Sequence, residues 1–303
     1  MSAPTVGFVG LGNMGWPMAH NIASGGLALV VHDADGEVAA RFAASHDGAV
    51  AADGPASFAG VDVLVTMLPD DRVVASALID GGIAVALKAG AVIADMSSSR
   101  PSGTRALAER LPDGIALIDA PVSGGVARAT DGTLSIMAGS DDDGAIDRAQ
   151  PVFELLGARV FRTGGLGSGD AVKALNNYLA AAAYAAAAEA LEVGRAFGLD
   201  PATIVEIVNT STGRSFVSEV VLADHVVTGA YRTGFQLHLL AKDAGIAAEM
   251  AVEAGVEAPA CALVNERWAQ AASALPAGSD HSEAHKAWWP QPAAAASAPV
   301  AAR

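Results

Sequence analysis

Short apolar runs that alternate with helix-forming segments constrain the fold of this chain more than any other feature of its sequence. These runs cover residues 6–9, 28–31, 62–66, 91–94, 116–118, 134–137 and 159–161. Strands that alternate with helices predict βαβ units and a mainly parallel sheet with helices on both faces. The first runs lack polar alternation, as expected of strands that are covered on both sides. We therefore predict an α/β fold with a doubly wound parallel sheet in the N-terminal half.

The second half of the chain has a different pattern. Residues 170–197 are strong helix formers without an internal proline, and Gly194 is the one glycine among them. No further strand-like run follows, and residues 201–209, 237–254 and 259–272 have helical patterns. We predict an all-α C-terminal domain that a long helix joins to the sheet.

The glycine-rich turn at residues 164–169 predicts the domain boundary. We expect an N-terminal domain at residues 1–164 and an all-α domain at residues 165–290. Residues 291–303 are rich in alanine and proline without periodicity, which predicts a disordered tail.

Charge excludes several classes of partner. The chain has 18 basic and 33 acidic residues, a formal net charge of −15, and the acidic residues are spread along its length. Such a field repels phosphate backbones and anionic lipid, so we expect neither nucleic acid nor a membrane surface as partner. Any anionic ligand must then be bound by local donors.

Cysteine usage and the N-terminus indicate the compartment. Cys261 is the single cysteine, so no intramolecular disulfide can form, and no Cys/His spacing is typical of a zinc site. Met1 to Thr5 contain no basic leader of the secretory type. The alanine-rich residues 178–198 carry Glu189, Glu192 and Arg195, which favours a buried helix over a membrane span. We expect a cytoplasmic protein.

A glycine motif follows the first strand: Gly10-Leu11-Gly12-Asn13-Met14-Gly15. In this strand-turn-helix context the first glycine permits the tight turn, the second admits a pyrophosphate to the backbone, and the third lets the helix pack closely on the strand. The helix N-terminus presents unpaired N–H groups to the phosphates. The motif predicts a dinucleotide site on a Rossmann-type domain, although a glycine turn without a ligand has the same local pattern.

Asp33 follows the second strand and lies 18 residues beyond Gly15. A ribose-binding acid is expected roughly 20 residues after the motif. Its carboxylate would accept hydrogen bonds from the ribose 2′-hydroxyl and repel a 2′-phosphate, which favours NAD over NADP. Asp33 would alternatively cap a turn, and Arg41 is the nearest arginine that could reach a 2′-phosphate.

Lys173 and Asn177 lie four residues apart near the start of the long helix, so they share one face. Reduction of a carbonyl needs a proton donor, oxidation of a hydroxyl needs the same group as a base, and a partly desolvated lysine can serve both directions. We predict Lys173 as the catalytic acid/base and Asn177 as a group that orients the amine or the substrate hydroxyl. A lysine on a helix is otherwise a solvated surface residue.

A third motif, Asp119-Ala120-Pro121-Val122-Ser123-Gly124-Gly125, follows a strand at the edge where doubly wound sheets bind ligands. The hydroxyl group of Ser123 and the N–H groups of Gly124 and Gly125 would form a pocket for a carboxylate. The alternative is an ordinary turn.

In this order the three motifs resemble those of the β-hydroxyacid dehydrogenase family, which includes 3-hydroxyisobutyrate dehydrogenase and tartronate semialdehyde reductase. The resemblance covers about residues 5 to 290 and rests on residues 7–15, residues 119–125, and Gly167-Ser168-Gly169 with Lys173 and Asn177. It implies NAD(P)-dependent, reversible hydride transfer between nicotinamide and a small 3-hydroxy acid or its semialdehyde.

The resemblance also implies roles for individual residues. Lys173 would be the acid/base, Ser123, Gly124 and Asn177 would bind substrate, and Lys242 would reach the cofactor. Further residues would line the nicotinamide pocket: Met67, Leu68, Pro69, Ser97 and Ser98. The resemblance implies a homodimer or homotetramer.

Several alternatives stay open at the level of the sequence. An imine-reducing relative, a semialdehyde or glyoxylate reductase and a non-catalytic dinucleotide-binding module share this architecture. Arg128 would either pair with a second anionic group of the substrate or be solvated, and a substrate role for the segment Asp280-His281-Ser282 is open. His281 and His285 have metal-ligand spacing without the H-E-x-x-H signature, so we predict no metal site.

Overall fold

The computed structural model describes residues 3–289, so the tail predicted at residues 291–303 lies outside the described residues. Nine strands occur within the described residues: β1 Val6–Val9, β2 Leu29–His32, β3 Ala49–Ala51, β4 Val63–Thr66, β5 Val92–Asp95, β6 Ala116–Asp119, β7 Val122–Ser123, β8 Leu134–Gly139 and β9 Gly157–Gly164.

Twelve α-helices occur in the same range: α1 Gly15–Ser24, α2 Gly36–Ser45, α3 Asp71–Ala75, α4 Ile83–Ala86, α5 Pro101–Ala108, α6 Gly125–Thr130, α7 Asp143–Leu156, α8 Ser168–Ala196, α9 Pro201–Asn209, α10 Leu237–Glu253, α11 Pro259–Ala274 and α12 Ala284–Trp288. Two π-helical segments, Ser76–Asp80 and Val217–Val226, and two 3₁₀ segments, Pro55–Phe58 and His281–Glu283, complete the helical structure of that part of the chain.

The strands form one sheet in the order β3-β2-β1-β4-β5-β6-β8-β7, with β9 also paired to β8. The strands from β3 to β6 are parallel, and so are β8 and β9, whereas β8 runs antiparallel to β6 and β7. The chain reverses its direction of travel across the sheet after β3, so the first crossovers lie on opposite sides of β1. The predicted doubly wound α/β fold is confirmed.

Both faces of the sheet are buried because apolar side chains leave each central strand in alternating directions. In β1, Phe8 belongs to the core cluster that includes Met18 of α1 and Phe153 of α7, while Val9 belongs to the cluster that includes Leu78. These two cores explain why the early strands lack polar alternation.

The chain divides into two compact units, and the division falls after Ala174, within α8. The second unit is helical around an apolar core whose largest side chains are aromatic. Trp268 of α11 is fully buried, contacts Tyr184 and Trp288, and donates its indole N–H to the carbonyl oxygen of Ala181 at 3.1 Å. Within residues 3–289 we find no helix with both the length and the apolar character that crossing a bilayer requires.

Asp280 connects two segments of the second unit. Its carboxylate accepts hydrogen bonds from the backbone N–H groups of Gly234 and Ser282 and from the hydroxyl of Thr233. His281 is buried beside it and donates its backbone N–H to the carbonyl oxygen of Phe235. These contacts give Asp280 a structural role, joining the chain before α10 to the segment before α12.

Replacing Trp268 by alanine should lower the free energy of unfolding by about 3–5 kcal/mol, because the change leaves a large cavity and removes a buried donor from the Ala181 carbonyl. Denaturant unfolding followed by circular dichroism measures the effect. Val252 of α10, which is 81% exposed, provides the control, since its change to alanine should cost less than about 0.5 kcal/mol. Equal losses for the two variants would contradict this account of the core.

Candidate active site

The glycine turn connects β1 to α1 and lies between the ends of β2 and β4. Gly10 donates its N–H to the carbonyl oxygen of His32 at 2.9 Å, and Met67 donates to Val9 at 2.9 Å. The φ of Gly10 is +100°, in the region that favours glycine. The turn is therefore held by both neighbouring strands.

The three glycines of the turn differ in what requires them. A Cβ at Gly15 would overlap the carbonyl oxygen of Gly10, and a Cβ at Gly10 would overlap that of Met67. A Cβ at Gly12 would have no neighbour within 4 Å, and Gly12 and Asn13 are exposed. The protein's own backbone explains Gly10 and Gly15, whereas the exposed backbone at Gly12 leaves room for a ligand to approach. This arrangement fits a dinucleotide pyrophosphate.

Asp33 is hydrogen-bonded to this turn. One oxygen of its carboxylate accepts from the backbone N–H of Leu11 at 2.7 Å, and the other accepts from that of Asp35 at 3.0 Å. The carboxylate is half-buried at the end of β2, where a ribose-binding acid is expected.

Beside the glycine turn, a cavity of about 540 Å³ is lined by Gly12, Asn13, Trp16 and Arg41 among other residues. The guanidinium of Arg41 lies 5.4 Å from the centre of the Trp16 ring.

The segments after β4 and β5 are joined by hydrogen bonds. Leu68 donates its N–H to the hydroxyl oxygen of Ser97 at 2.9 Å, and Ser97 donates its own N–H to the carboxylate of Asp95 at 3.1 Å. Ser98 is half-buried and Pro69 is exposed. The structure therefore brings the residues predicted to line the nicotinamide pocket to the edge of the sheet where the glycine turn lies.

The loop predicted to bind substrate begins at Asp119, the last residue of β6. Ser123 is half-buried in β7, and the two glycines after it have φ values of +142° and +67°. Both glycines are exposed, and a Cβ at Gly124 would overlap the side chain of Arg128. Arg128 is exposed but packs against Gly124, so its charge is close to this loop.

Lys173 is half-buried in the second turn of α8. The first turn is bound by the fully buried Asp119, whose two carboxylate oxygens accept from the N–H groups of Gly167 at 2.7 Å and Asp170 at 2.9 Å. The structure thus connects the start of the loop that leads to Ser123 with the helix turn that precedes Lys173.

Three buried carboxylates, those of Asp95, Asp119 and Asp170, lie close together at the start of α8. Burial raises the pKa of Asp119 to about 6, against the N–H donors that lower it. Burial and the nearby carboxylates of Asp119 and Asp95 raise the pKa of Asp170 well above its ordinary value. The hydroxyl of Thr104 donates to the Asp170 carboxylate at 2.6 Å.

Two of the predicted site residues lie in the helical unit, where the structure brings them together. Asn177 of α8 is buried and donates its side-chain N–H to Asp243 of α10 at 2.6 Å. The Lys242 ammonium lies 3.4 Å from the other oxygen of the same carboxylate. Taken alone, the adjacent Lys242 and Asp243 predict an exposed ion pair, but Asp243 is buried and Lys242 half-buried, so that interpretation is wrong.

Metal ligation has no support in the described part of the chain. Among residues 3–289, no three or more His, Cys, Asp or Glu side chains are arranged to bind a metal ion. His285 instead contacts the hydroxyls of Tyr184 and Tyr231, with ring nitrogens at 3.1 and 3.4 Å.

The resemblance implied only that Asp95 belongs to the segment 95–98 beside the nicotinamide, and sequence reasoning assigned no role to two other buried residues of the first unit, Asp170 and Thr104. A signal for Asp95 exists, since it is a polar residue that directly ends an apolar run, as Asp119 does. The partner of Asp170 is 66 residues away along the chain. No local pattern identifies that pair.

Replacing Gly12 by alanine should leave folding intact but weaken NADH binding at least about 10-fold, because the added Cβ blocks only the approach of the pyrophosphate. Gly15→Ala should instead destabilise the fold, since its Cβ meets the backbone of Gly10. Fluorescence titration with NADH and thermal unfolding separate the two effects. Gly60→Ala, with no neighbour for its Cβ, is the control for both measurements. Wild-type NADH affinity in Gly12→Ala would contradict the proposed cofactor site.

Comparison with known proteins identifies the family of both halves. Residues 5–165 match the NAD binding domain of 6-phosphogluconate dehydrogenase. Residues 167–288 match a domain described as NAD-binding of NADP-dependent 3-hydroxyisobutyrate dehydrogenase. These matches confirm the predicted NAD cofactor.

Individual relatives match over most of their length. A 2-(hydroxymethyl)glutarate dehydrogenase of Eubacterium barkeri is 38% identical over 86% of this chain and 87% of its own. An NAD-dependent L-serine dehydrogenase of Pseudomonas aeruginosa is 35% identical over 84% of this chain and 87% of its own. The structure of Mycobacterium tuberculosis 3-hydroxyisobutyrate dehydrogenase with L-serine is 28% identical, with a TM-score of 0.83 over 95% of this chain and 99% of its own. This protein therefore belongs to the β-hydroxyacid dehydrogenase family, and it is an NAD-binding oxidoreductase that acts on a hydroxy acid.

Proposed function

We propose that this protein reversibly oxidises a small 3-hydroxy acid to its semialdehyde, with Lys173 as the acid/base. The observation that carries the proposal is the bond between Asp119 and the first turn of α8. It connects the helix turn before Lys173 to the loop of Ser123, Gly124 and Gly125 within one compact unit. A proton-transferring group and a carboxylate-binding loop are the two parts that this reaction needs.

The names of the three relatives support a narrower substrate class. 2-(Hydroxymethyl)glutarate, L-serine and 3-hydroxyisobutyrate each have a carboxylate and a hydroxymethyl group on one carbon atom, and they differ in its third substituent. We infer that this chain acts on the same unit, a 2-substituted 3-hydroxypropanoate. Arg128, which packs against Gly124, makes a substituent with a second carboxylate the first to test.

Each of the proposed site residues has a distinct task. The hydroxyl of Ser123 and the N–H groups of Gly124 and Gly125 bind the substrate carboxylate, and Asn177 orients the reacting hydroxyl or the lysine. Lys173 accepts the hydroxyl proton during oxidation and returns it during reduction. When bound, NAD supplies the acceptor for the hydride that leaves the hydroxyl-bearing carbon.

The proposed cofactor site includes the glycine turn, the segments after β2, β4 and β5, and Lys242. Its members are Gly10, Leu11, Gly12, Asn13, Met14, Gly15, Asp33, Met67, Leu68, Pro69, Ser97, Ser98 and Lys242. We propose a preference for NAD over NADP, because Asp33 would repel a 2′-phosphate and Arg41 packs against Trp16.

An imine-reducing activity is the alternative. Lys173 and a loop suited to a carboxylate weigh against it, because a simple cyclic imine has no carboxylate for that loop to bind. A semialdehyde or glyoxylate reductase would use the same groups in the reducing direction. A panel of 3-hydroxy acids, semialdehydes and cyclic imines with both cofactors distinguishes these reactions.

We propose that the functional domains meet at residues 164 and 165, that the protein forms a homodimer or homotetramer, and that it works in the cytoplasm. The glycine-rich turn at residues 164–169 supports the first of these. The resemblance to the family supports the second, and the single cysteine, Cys261, is consistent with the third.

Replacing Lys173 by alanine should lower turnover at least ~100-fold, the usual scale for the loss of a positioned acid/base. Steady-state oxidation of the best 3-hydroxy acid measures it. Lys88, whose ammonium forms a surface ion pair with Asp62, is the control and should tolerate alanine. Near-normal turnover of Lys173→Ala would refute the proposed mechanism.

Replacing Asp33 by asparagine should shift cofactor preference towards NADP, because it removes the negative charge and keeps an acceptor for Leu11. We expect the ratio of kcat/KM for NAD to that for NADP to fall about 10-fold or more. Asp35→Asn, at the exposed cap of α2, is the matched control. An unchanged ratio in Asp33→Asn would remove Asp33 from cofactor discrimination.

A further inference from the structure

Helix α8 has no N-terminal cap of its own. Gly167 precedes its first residue and has no side chain, although serine, threonine, aspartate or asparagine usually accepts from the first-turn N–H groups. Asp119 at the end of β6 provides both acceptors instead. A residue 48 positions earlier in the chain therefore determines where this helix begins.

The contact between this helix turn and the sheet leaves little freedom. A Cβ at Gly169 would overlap the carbonyl oxygen of Met137, and a Cβ at Gly139 would lie 2.7 Å from the Asp119 carboxylate and 2.5 Å from the Ser168 hydroxyl. Glycine at both positions lets the backbones approach closely. The turn consequently packs against β6 and β8 in one position, with the Asp119 carboxylate between them.

We propose that Asp119 is a positioning residue for the reaction: by binding the first turn of α8, its carboxylate places the ammonium group of Lys173 relative to the loop of Ser123 and Gly124. This inference rests on the proposed role of Lys173. Asp119 acts through the helix and does not exchange a proton with substrate.

The position of Lys173 depends on that turn because it lies three residues beyond Asp170, about one helical turn. A shift of the turn therefore moves the ammonium group. Misplacement of a catalytic group by about 1 Å can cost on the order of 100-fold in rate. The substrate loop would not move with the helix, since it continues directly from Asp119 along the sheet.

The charge of Asp119 matters because one carboxylate accepts from two N–H groups at a helix N-terminus, which favours its ionised form. Charged groups face this region from four other elements: Asp95 of β5, Arg105 of α5, Asp141 after β8 and Asp170 of α8. Lys173 follows on α8 itself. An uncharged isostere at position 119 therefore tests the contact without changing its shape.

A double-mutant cycle tests the proposal. Asp119→Asn leaves one of the two N–H donors facing an amide NH₂, and we expect kcat to fall about 10-fold to 100-fold while the KM for NAD changes less than about two-fold. In the Lys173→Ala background the same change should lower kcat by less than about two-fold, because the group that it positions is gone. Asp142→Asn, which alters the exposed cap of α7, is the matched control and should leave kcat unchanged.

The outcomes distinguish this inference from the proposed function. An unchanged kcat in Asp119→Asn, or an equal loss with and without Lys173, would overturn the positioning role. Near-normal turnover of Lys173→Ala alone would instead refute the proposed function. A rise in the KM for NAD with unchanged kcat would also count against positioning.

The wild-type protein offers a second measurement that needs no substitution. Burial raises the pKa of Asp119 to about 6, so protonation below that pH places an O–H group against one of the two N–H donors. Amide protection in a peptide spanning residues 165–171, corrected for intrinsic exchange, should fall between about pH 8 and about pH 5, and kcat should fall with the same midpoint. Protection that stays constant over this range would contradict the proposal even if Asp119→Asn does not fold.

Discussion

Carboxylates at one edge of a parallel sheet hold the loops from which the candidate site is built. Asp33, Asp95 and Asp119 follow or end β2, β5 and β6. Asp33 and Asp119 accept hydrogen bonds from backbone N–H groups of other segments, and Asp95 accepts one from Ser97, two residues later. Burying a carboxylate is costly unless donors compensate, so each acid constrains the loop that provides its donors. The glycine turn, the segment after β5 and the start of α8 are positioned by this shared device.

Glycines at the same edge of the sheet differ in whether another backbone lies in contact with them. Some glycines are required because another backbone lies in contact with them, as at Gly15 and Gly169. Gly12 has open space beside it, as Gly60 also has, so no contact within the described residues requires glycine there. Packing within the chain therefore requires some glycines of one motif and not others, and this distinction becomes visible only in three dimensions.

The elements with a strong local pattern were predictable. Strand β1 and helix α9 have the predicted bounds, because apolar runs and a proline at the first turn identify them locally. Strands β3 and β7 were missed, since they are three and two residues long and their pairing decides their structure. The π-helical segment Val217–Val226 was also missed, because its apolar residues follow no single period.

The candidate site shows the same limit. The position of Asp33 follows from spacing along the chain, whereas the contact of Asp119 with the first turn of α8 joins residues 48 and 51 positions apart. Sequence spacing has no rule for such a contact, although a polar residue at the end of an apolar strand marks where one can form. No local sequence pattern identifies the third substituent of the substrate either, because side chains from several loops would recognise it.

Transfer of an isotopic label tests the central claim that this chain moves a hydride from a hydroxymethyl group to NAD. The wild-type protein would be incubated with NAD and 3-hydroxyisobutyrate, L-serine or 2-(hydroxymethyl)glutarate, each deuterated on the hydroxyl-bearing carbon, and the NADH formed would be examined by NMR. We predict deuterium at C4 of the nicotinamide with at least one of these acids. NADH without the label, or no NADH with any 3-hydroxy acid, would contradict the account.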